Sequence, residues 1–192
     1  MSIRVSIDAS GGDFGFSVTI NAGISALKTY DDLLINFVGD EAGIKNELNK
    51  NSSYSNFADR IDVTHASEVI NMSDSPSVAL RHKKDSSMRI AINLVKNGDA
   101  DACVSAGNTG ALMSIARFVL KTIKGVDRPA IMSAVPTLTG PTHVLDLGAN
   151  IDSRPSTLLQ FAIMGSIAVQ NTENIENPSV GLLNVGSEEL KG

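Results

Sequence analysis

Short apolar runs rich in β-branched residues alternate with helix-patterned stretches along this whole chain, and that alternation restricts its fold more than any other feature. Strands are predicted at Ile3–Asp8, Leu33–Val38, Ile61–His65, Asp101–Ser105, Ala130–Pro136, His143–Leu147 and Val180–Val185. Most read as runs with both faces covered rather than as strict alternation, the pattern of parallel strands between helix layers. Between them, Met88, Ala91, Ile92 and Val95 recur at helical spacing, with Gly98 as the stop. Leu112, Ile115, Ala116, Val119 and Ile123 form a second stripe, predicted to end near Gly125. Pro76 and Pro155 follow Ser75 and Arg154 at expected first-turn positions, where a missing N–H is harmless. Polar residues through Lys45–Asp59 predict a helix end and an exposed loop. The expected fold class is α/β: an open, mostly parallel sheet with helices on both faces, made of right-handed βαβ units in one domain over residues 1–192.

Composition narrows the function classes. With 42% hydrophobic and 19% charged residues the chain is too apolar to be disordered. Sixteen Lys and Arg against 21 Asp and Glu give a net charge of −5, without the clustered basic face of a nucleic-acid binder. The single cysteine, Cys103, permits neither an internal disulfide nor a cysteine zinc cage and points to a reducing compartment. The first residues, MSIRVSIDAS, lack the apolar run of a signal peptide, and no stretch approaches a membrane span. A soluble cytoplasmic protein is expected. The strand at Val180–Val185 leads into Gly186-Ser187-Glu188-Glu189, and the sequence stops at Gly192 without the crossover helix a parallel strand needs. The chain is therefore expected to be part of a longer polypeptide.

Ligands of open α/β sheets bind beyond the carboxyl ends of the strands, and four loops there carry small and polar residues. In Asp8-Ala-Ser-Gly-Gly-Asp-Phe-Gly15, the glycines Gly11 and Gly12 let backbone amides approach an anion, and Asp8 and Asp13 could bind a cation or orient a hydroxyl. A purely structural tight turn fits the same residues. In Ser105-Ala-Gly-Asn-Thr-Gly-Ala111, Gly107 and Gly110 open the backbone, while Ser105, Asn108 and Thr109 offer donors at a helix N-terminus that favours phosphate or carboxylate. No Gly-Lys-Ser/Thr follows, so this is not a P-loop; the bland alternative is an N-cap with packing glycines. Asp146, Asn150, Asp152 and Arg154 could order a charged substrate, or simply form a solvated turn with a cap. The fourth loop, Asn184–Glu189, carries donors and paired acids.

Arg81, His82, Lys83 and Lys84 read either as a solvated face or as a landing site for an acidic partner. His65 and His143 could be acid–base groups or hydrogen-bonded structural histidines. Cys103, inside a strand, reads as a buried inert thiol. Met88, Met113, Met132 and Met164 fall in core patterns. No Ser/His/Asp order and no metal-ligand spacing stands out, and no cofactor is expected.

At these loops the sequence resembles a known family. IDASGGDFG, HASEVINMSDSPSVALRHKKDSSMRIAINLVKNGDADACVSAGNTGALMSIARFVLKTIKGVDRPAI and LDLGANIDSRPSTLLQFAIMGS are similar to motifs of the PlsX phosphate acyltransferases of phospholipid synthesis, in the family's order from Ile3 to Gly192. Ser10 replaces the methionine of the usual Met-Gly-Gly-Asp turn, Phe16 stands where proline is usual, and family members continue well past Gly192. The resemblance implies reversible transfer of a fatty acyl group from acyl carrier protein to inorganic phosphate, in a cytoplasmic homodimer working loosely at the membrane surface. The acyl phosphate would feed a membrane glycerol-phosphate acyltransferase. More distant likenesses to phosphotransacetylases and to isocitrate and isopropylmalate dehydrogenases suggest the fold more than the reaction.

Phosphate is already a nucleophile, so such an enzyme must desolvate it, hold it against the thioester carbonyl and stabilise the oxyanion. Under the resemblance, Ser105, Gly107, Asn108, Thr109 and Gly110 are assigned to phosphate. Asn150 or Arg154 is assigned to polarise the carbonyl or clamp an oxygen, with Asp146 orienting them, Asp8, Gly11, Gly12 and Asp13 in support and Arg81, Lys83 and Lys84 docking the carrier protein. Two other classes compete: a non-catalytic anion-binding fragment, and a nicotinamide-dependent decarboxylating dehydrogenase. The latter wants a G-x-G-x-x-G followed by an acidic ribose ligand, which is not found.

Overall fold

The computed structural model describes residues 2–138, 140–150 and 154–183. Two compact units make up the chain, Met1–Lys121 and Thr122–Gly192.

In the first unit, the apolar runs become β1 (Ile3–Asp8), β2 (Leu33–Gly39), β3 (Ile61–His65) and β4 (Ala102–Ser105). They form a parallel four-stranded sheet in the order β3-β2-β1-β4. The helices are α1 (Phe16–Thr29), α2 (Glu41–Lys50), α3 (Pro76–His82), α4 (Ser87–Asn97) and α5 (Thr109–Leu120). Successive strand residues face opposite sides, and both sides of β2 are covered. Ile35 and Phe37 pack with Ile20 and Ile24 of α1 and with Ile44 of α2, whereas Val38 meets Ala91 of α4. Met88 and Ile92 of α4 join Ala111 and Ile115 of α5 in a separate cluster. Burial on both faces is why these strands read as apolar runs.

Local signals set the helix ends. Asp40, Ser75, Ser86 and Asn108 cap α2 to α5 by accepting N–H groups of Gly43, Val78, Arg89 and Ala111. Pro76 opens α3, and Gly98 closes α4 with φ 82°. The α5 stripe stops earlier than its spacing predicts: Lys121 takes φ 68° and Ile123 lies outside the helix, 77% exposed. Lys45–Asp59 holds the expected helix end, at Lys50, and several exposed residues, but not a free loop. After α2 it makes two 3₁₀ turns, Tyr54–Asn56 and Ala58–Arg60, and Tyr54 and Phe57 lean on the core instead of joining a free loop. Arg60 fastens the segment by donating to the carbonyls of Leu27, Tyr30 and Asp31 while lying over the Phe57 ring.

From β1 the chain winds outward to β2 and β3, then returns to lay β4 on the other side of β1. The carboxyl ends of β1 and β4 thus flank the point where the winding reverses, the crevice in which such sheets bind ligands.

The second unit contains β5 (Met132–Thr137), β6 (Gly140–Leu145) and α6 (Pro155–Glu173). Here the expected parallel pattern gives way to an antiparallel pair, in register from Met132↔Leu145 to Thr137↔Gly140. A parallel crossover needs about a dozen residues or more, and the segment between these strands is far shorter. Gly140 turns the chain at φ 121°. Phe161 and Thr157 of α6 are buried. Val180–Leu183 forms no strand, and the rest of that predicted strand, with Asn184–Glu189, lies outside the described residues. No helix among the described residues is long and apolar enough to cross a membrane.

Candidate functional site

Asp8 ends β1, and the parallel register sets it beside Ser105 at the end of β4. The sheet leaves Asp8 only 2% exposed, and a buried carboxylate requires donors. Two hydroxyls supply them. Ser105 Oγ donates to Asp8 Oδ2 at 2.7 Å, and Ser87 Oγ, from the first residue of α4, donates to Oδ1 at 2.6 Å. Ser105 Oγ then accepts the Gly107 N–H at 3.1 Å. The glycine loops after β1 and β4 interlock around this carboxylate. A Cβ on Gly11 would lie 2.6 Å from Asp8 Oδ2 and 3.1 Å from Gly107 N, and one on Gly12, whose φ is +84°, would lie 3.0 Å from Ala106 O. Asp13 lies beyond this contact and is exposed.

Asn108 holds the next piece. Its Oδ1 accepts the Ala111 N–H at 3.0 Å, while Nδ2 faces the carbonyls of Asn71, Met72 and Asp74 at 3.3, 2.9 and 2.9 Å. A strap formed by residues 71–74 is thereby tied to the head of α5. Lys83 anchors the strap elsewhere, with Nζ 2.7 Å from Asp74 Oδ2 and donating to the Val69 carbonyl at 2.6 Å. The hydrogen bond from Lys83, helped by the Asn71 N–H, holds the Asp74 carboxyl below its ordinary range. Lys83 is therefore engaged within the chain, whereas its neighbours Arg81 and Lys84 are exposed. Asn108→Ala removes both the helix cap and the strap's donor. The expected loss is about 2 kcal/mol, read as a lower urea midpoint at unchanged m-value.

The first N–H groups of a helix have no partner inside it. With Ala111 capped, those of Thr109 and Gly110 have no partner among the described residues, and both residues are exposed. A pair of unpartnered N–H groups on a positive dipole end, after a glycine loop, can hold an oxyanion.

In the second unit, Asp146 organises its own turn. It accepts from the N–H groups of Ile131 at 2.8 Å, Asn150 at 2.7 Å and Ala149 at 3.3 Å, and from Asn150 Nδ2 at 3.0 Å. Burial pushes its carboxyl up, but the Ile131 N–H and the donors from Asn150 and Ala149 outweigh burial and leave it lowered. The Asn150 amide also donates to the Pro129 carbonyl. Arg154 is the exposed residue preceding α6, and Asp152 lies outside the described residues.

Burial pushes the Cys103 thiol up to about 11, although a hydrogen bond with Ser6 opposes it, so the group is a poor nucleophile at neutral pH. His65 is exposed and takes a long 3.4 Å bond from the Glu41 N–H, and His143 pairs with Glu173 at 3.2 Å. Among the described residues, no group of three or more His, Cys, Asp and Glu side chains is placed to hold a metal. Sequence reasoning passed over Ser87 and the strap at 71–74. The tandem Ser86-Ser87 ahead of an apolar helix was a usable signal, since one serine suffices as a cap and the other is free to bond elsewhere.

The model of a family described as fatty acid synthesis protein matches residues 3–192. A relative named phosphate acyltransferase from Ruthia magnifica subsp. Calyptogena magnifica is 64% identical over 192 residues, covering all of this chain and 56% of the relative. One of the same name from Methylococcus capsulatus is 57% identical over 188 residues, 98% of this chain and 55% of the relative. Another, from Legionella pneumophila (strain Paris), is 55% identical over 191 residues, 100% of this chain and 55% of the relative. The chain spans about half the length of the curated relatives it matches.

Proposed function

This chain belongs to the fatty acid synthesis protein family, the PlsX family, and from that premise we propose that it is the N-terminal portion of a phosphate acyltransferase. The reaction transfers a fatty acyl group from acyl carrier protein to inorganic phosphate. A phosphate oxygen attacks the thioester carbonyl, the C–O bond forms as the C–S bond breaks, and the sulfur leaves with a proton as the carrier's thiol. The relatives' shared name, phosphate acyltransferase, supports this reading. The observation that carries it is the head of α5, where the N–H groups of Thr109 and Gly110 have no partner among the described residues, in the loop that follows β4 at the sheet's switch point.

The side chains divide accordingly. Asn108 supports the phosphate site by holding α5 and the strap, and Ser105 by its bonds to Asp8 and Gly107. The backbone of Gly107, Thr109 and Gly110 approaches the anion. In the second unit, both hydrogens of the Asn150 amide go to Asp146 and the Pro129 carbonyl, so Asp146 and Asn150 hold the turn and Arg154 is left as the residue to clamp an oxygen. Arg81 and Lys84, exposed and cationic, suit docking of an acidic carrier protein. A dehydrogenase-like or phosphotransacetylase-like sheet, a homodimer, a cytoplasmic location with membrane-surface contact, and delivery of acyl phosphate to a glycerol-phosphate acyltransferase complete the reading.

Thr109→Pro tests it. Proline is tolerated at the first helical position, where it already opens α3 and α6, and Asn108 has the extended ψ of 111° that a following proline requires. The substitution deletes one N–H donor and keeps the helix start. In the full-length polypeptide it is expected to raise the phosphate KM about tenfold or more, the size of one hydrogen bond to a charged group, with the carrier-protein KM unchanged. An unchanged phosphate KM rejects the site.

A further inference from the structure

The Ser105 hydroxyl has one proton, and the buried Asp8 carboxylate takes it. What Ser105 has left is a lone pair, which accepts the Gly107 N–H. Ser105 in this arrangement faces Asp8 and its own loop, and cannot also donate to an anion. Asp8 accepts its second bond from Ser87, 1% exposed at the first turn of α4. The chain of bonds therefore runs from α4 through Ser87 Oγ, Asp8 and Ser105 Oγ to the backbone of Gly107. It links the start of one helix to the loop that leads into another. Nothing else in the first turn of α4 demands a second serine, because Ser86 already accepts the Arg89 N–H and donates to the Lys83 carbonyl.

We propose that Ser87 and Asp8 are positioning residues that act through Ser105 to set the Gly107–Gly110 backbone for phosphate. The inference rests on the phosphate reading of that loop. Removing the Ser87 hydroxyl leaves Asp8 Oδ1 without its donor. The carboxylate then re-orients or recruits the Gly107 side of its surroundings, and the loop loses its fixed N–H direction. Binding of phosphate weakens more than the chemistry of bound phosphate, so KM moves and kcat follows little.

The test uses the full-length polypeptide with phosphate and acyl carrier protein varied separately. Ser87→Ala is expected to raise the phosphate KM about tenfold, the size of one net hydrogen bond to a charged group, with kcat and the carrier-protein KM nearly unchanged. Ser87→Cys, which keeps a side chain there but donates a hydrogen bond poorly, should reproduce the shift and serves if Ser87→Ala fails to fold. Ser87→Ala and Ser105→Ala should be non-additive in phosphate KM, because both act on one carboxylate. A phosphate KM that stays at the parent value in both Ser87 variants, while Thr109→Pro raises it, overturns the positioning role and leaves the phosphate loop standing. Additive effects of Ser87→Ala and Ser105→Ala overturn it as well. An unchanged KM in Thr109→Pro removes the phosphate loop, and the proposal with it.

Discussion

Under the proposed function, Gly11→Ala in the full-length polypeptide is expected to lower acyl phosphate formation by about a hundredfold or more, while the protein still folds. The added Cβ would sit 2.6 Å from Asp8 Oδ2 and 3.0 Å from Asp8 Cγ, with Gly107 N at 3.1 Å behind. A flexible surface side chain could swing away; Asp8 cannot, because it is buried and held by Ser87 and Ser105. The loops after β1 and β4 must therefore separate. Overpacking of this kind costs about 1–3 kcal/mol, and a shift of about 1 Å in a positioned group is enough to cost about a hundredfold in rate. Calorimetry should record a modest fall in Tm, and a phosphate-dependent assay a loss far larger than that fall explains. Parent-level turnover in Gly11→Ala would show that the loops do not need this close approach.

Phe37→Ala should be the most destabilising single change in the first unit, about 3–5 kcal/mol. Phe37 is fully buried at the centre of the α1–β2–α2 cluster. Its ring fits there only because Gly23 of α1 has no side chain: a Cβ at Gly23 would meet Phe37 Cζ at 2.5 Å and Cε1 at 2.9 Å. Two effects compete in Gly23→Ala. Helix propensity favours alanine by about 1 kcal/mol, whereas forcing a methyl group into a ring edge costs about 1–3 kcal/mol. With the ring fully enclosed, the clash wins and Gly23→Ala alone destabilises. In a Phe37→Ala background the two ring contacts are gone and only Ile35 Cδ1 remains, at 3.3 Å, the free end of a side chain that can turn into the space the ring leaves, so the same substitution should stabilise. Urea unfolding of the two singles and the double measures this reversal of sign; matching signs in both backgrounds would refute the packing account.

The parallel sheet was legible because burial on two faces writes itself as continuous apolar runs, and β1 to β4 fall where those runs lie. The helix starts at Ser75-Pro76 and Asn108, and the stop at Gly98, were legible for a local reason: each depends on one residue bonding its own backbone. The antiparallel β5–β6 pair was not legible from run composition, which is the same for either strand direction; only the short connection between the runs distinguishes the two. After α2 the helix end and the exposed residues were legible, but the two 3₁₀ turns were not, because Tyr54 and Phe57 find their partners on the distant α1–β2 core, and Arg60 finds its own at the end of α1.

The order of residues along the chain determined which segments became strands and helices, where most helices begin, and that glycine-rich loops follow β1 and β4. It also marked Asp8, Ser105 and Asn108 as polar groups in those loops. Their partners came from tertiary structure alone. Ser87 reaches Asp8 from 79 positions away, and Asn108 holds the Asn71 carbonyl across 37. Side-chain chemistry is a property of the residue, but the direction in which a hydroxyl proton or an amide points depends on what lies opposite it, and only the folded sheet brings those groups within 3 Å or so of each other.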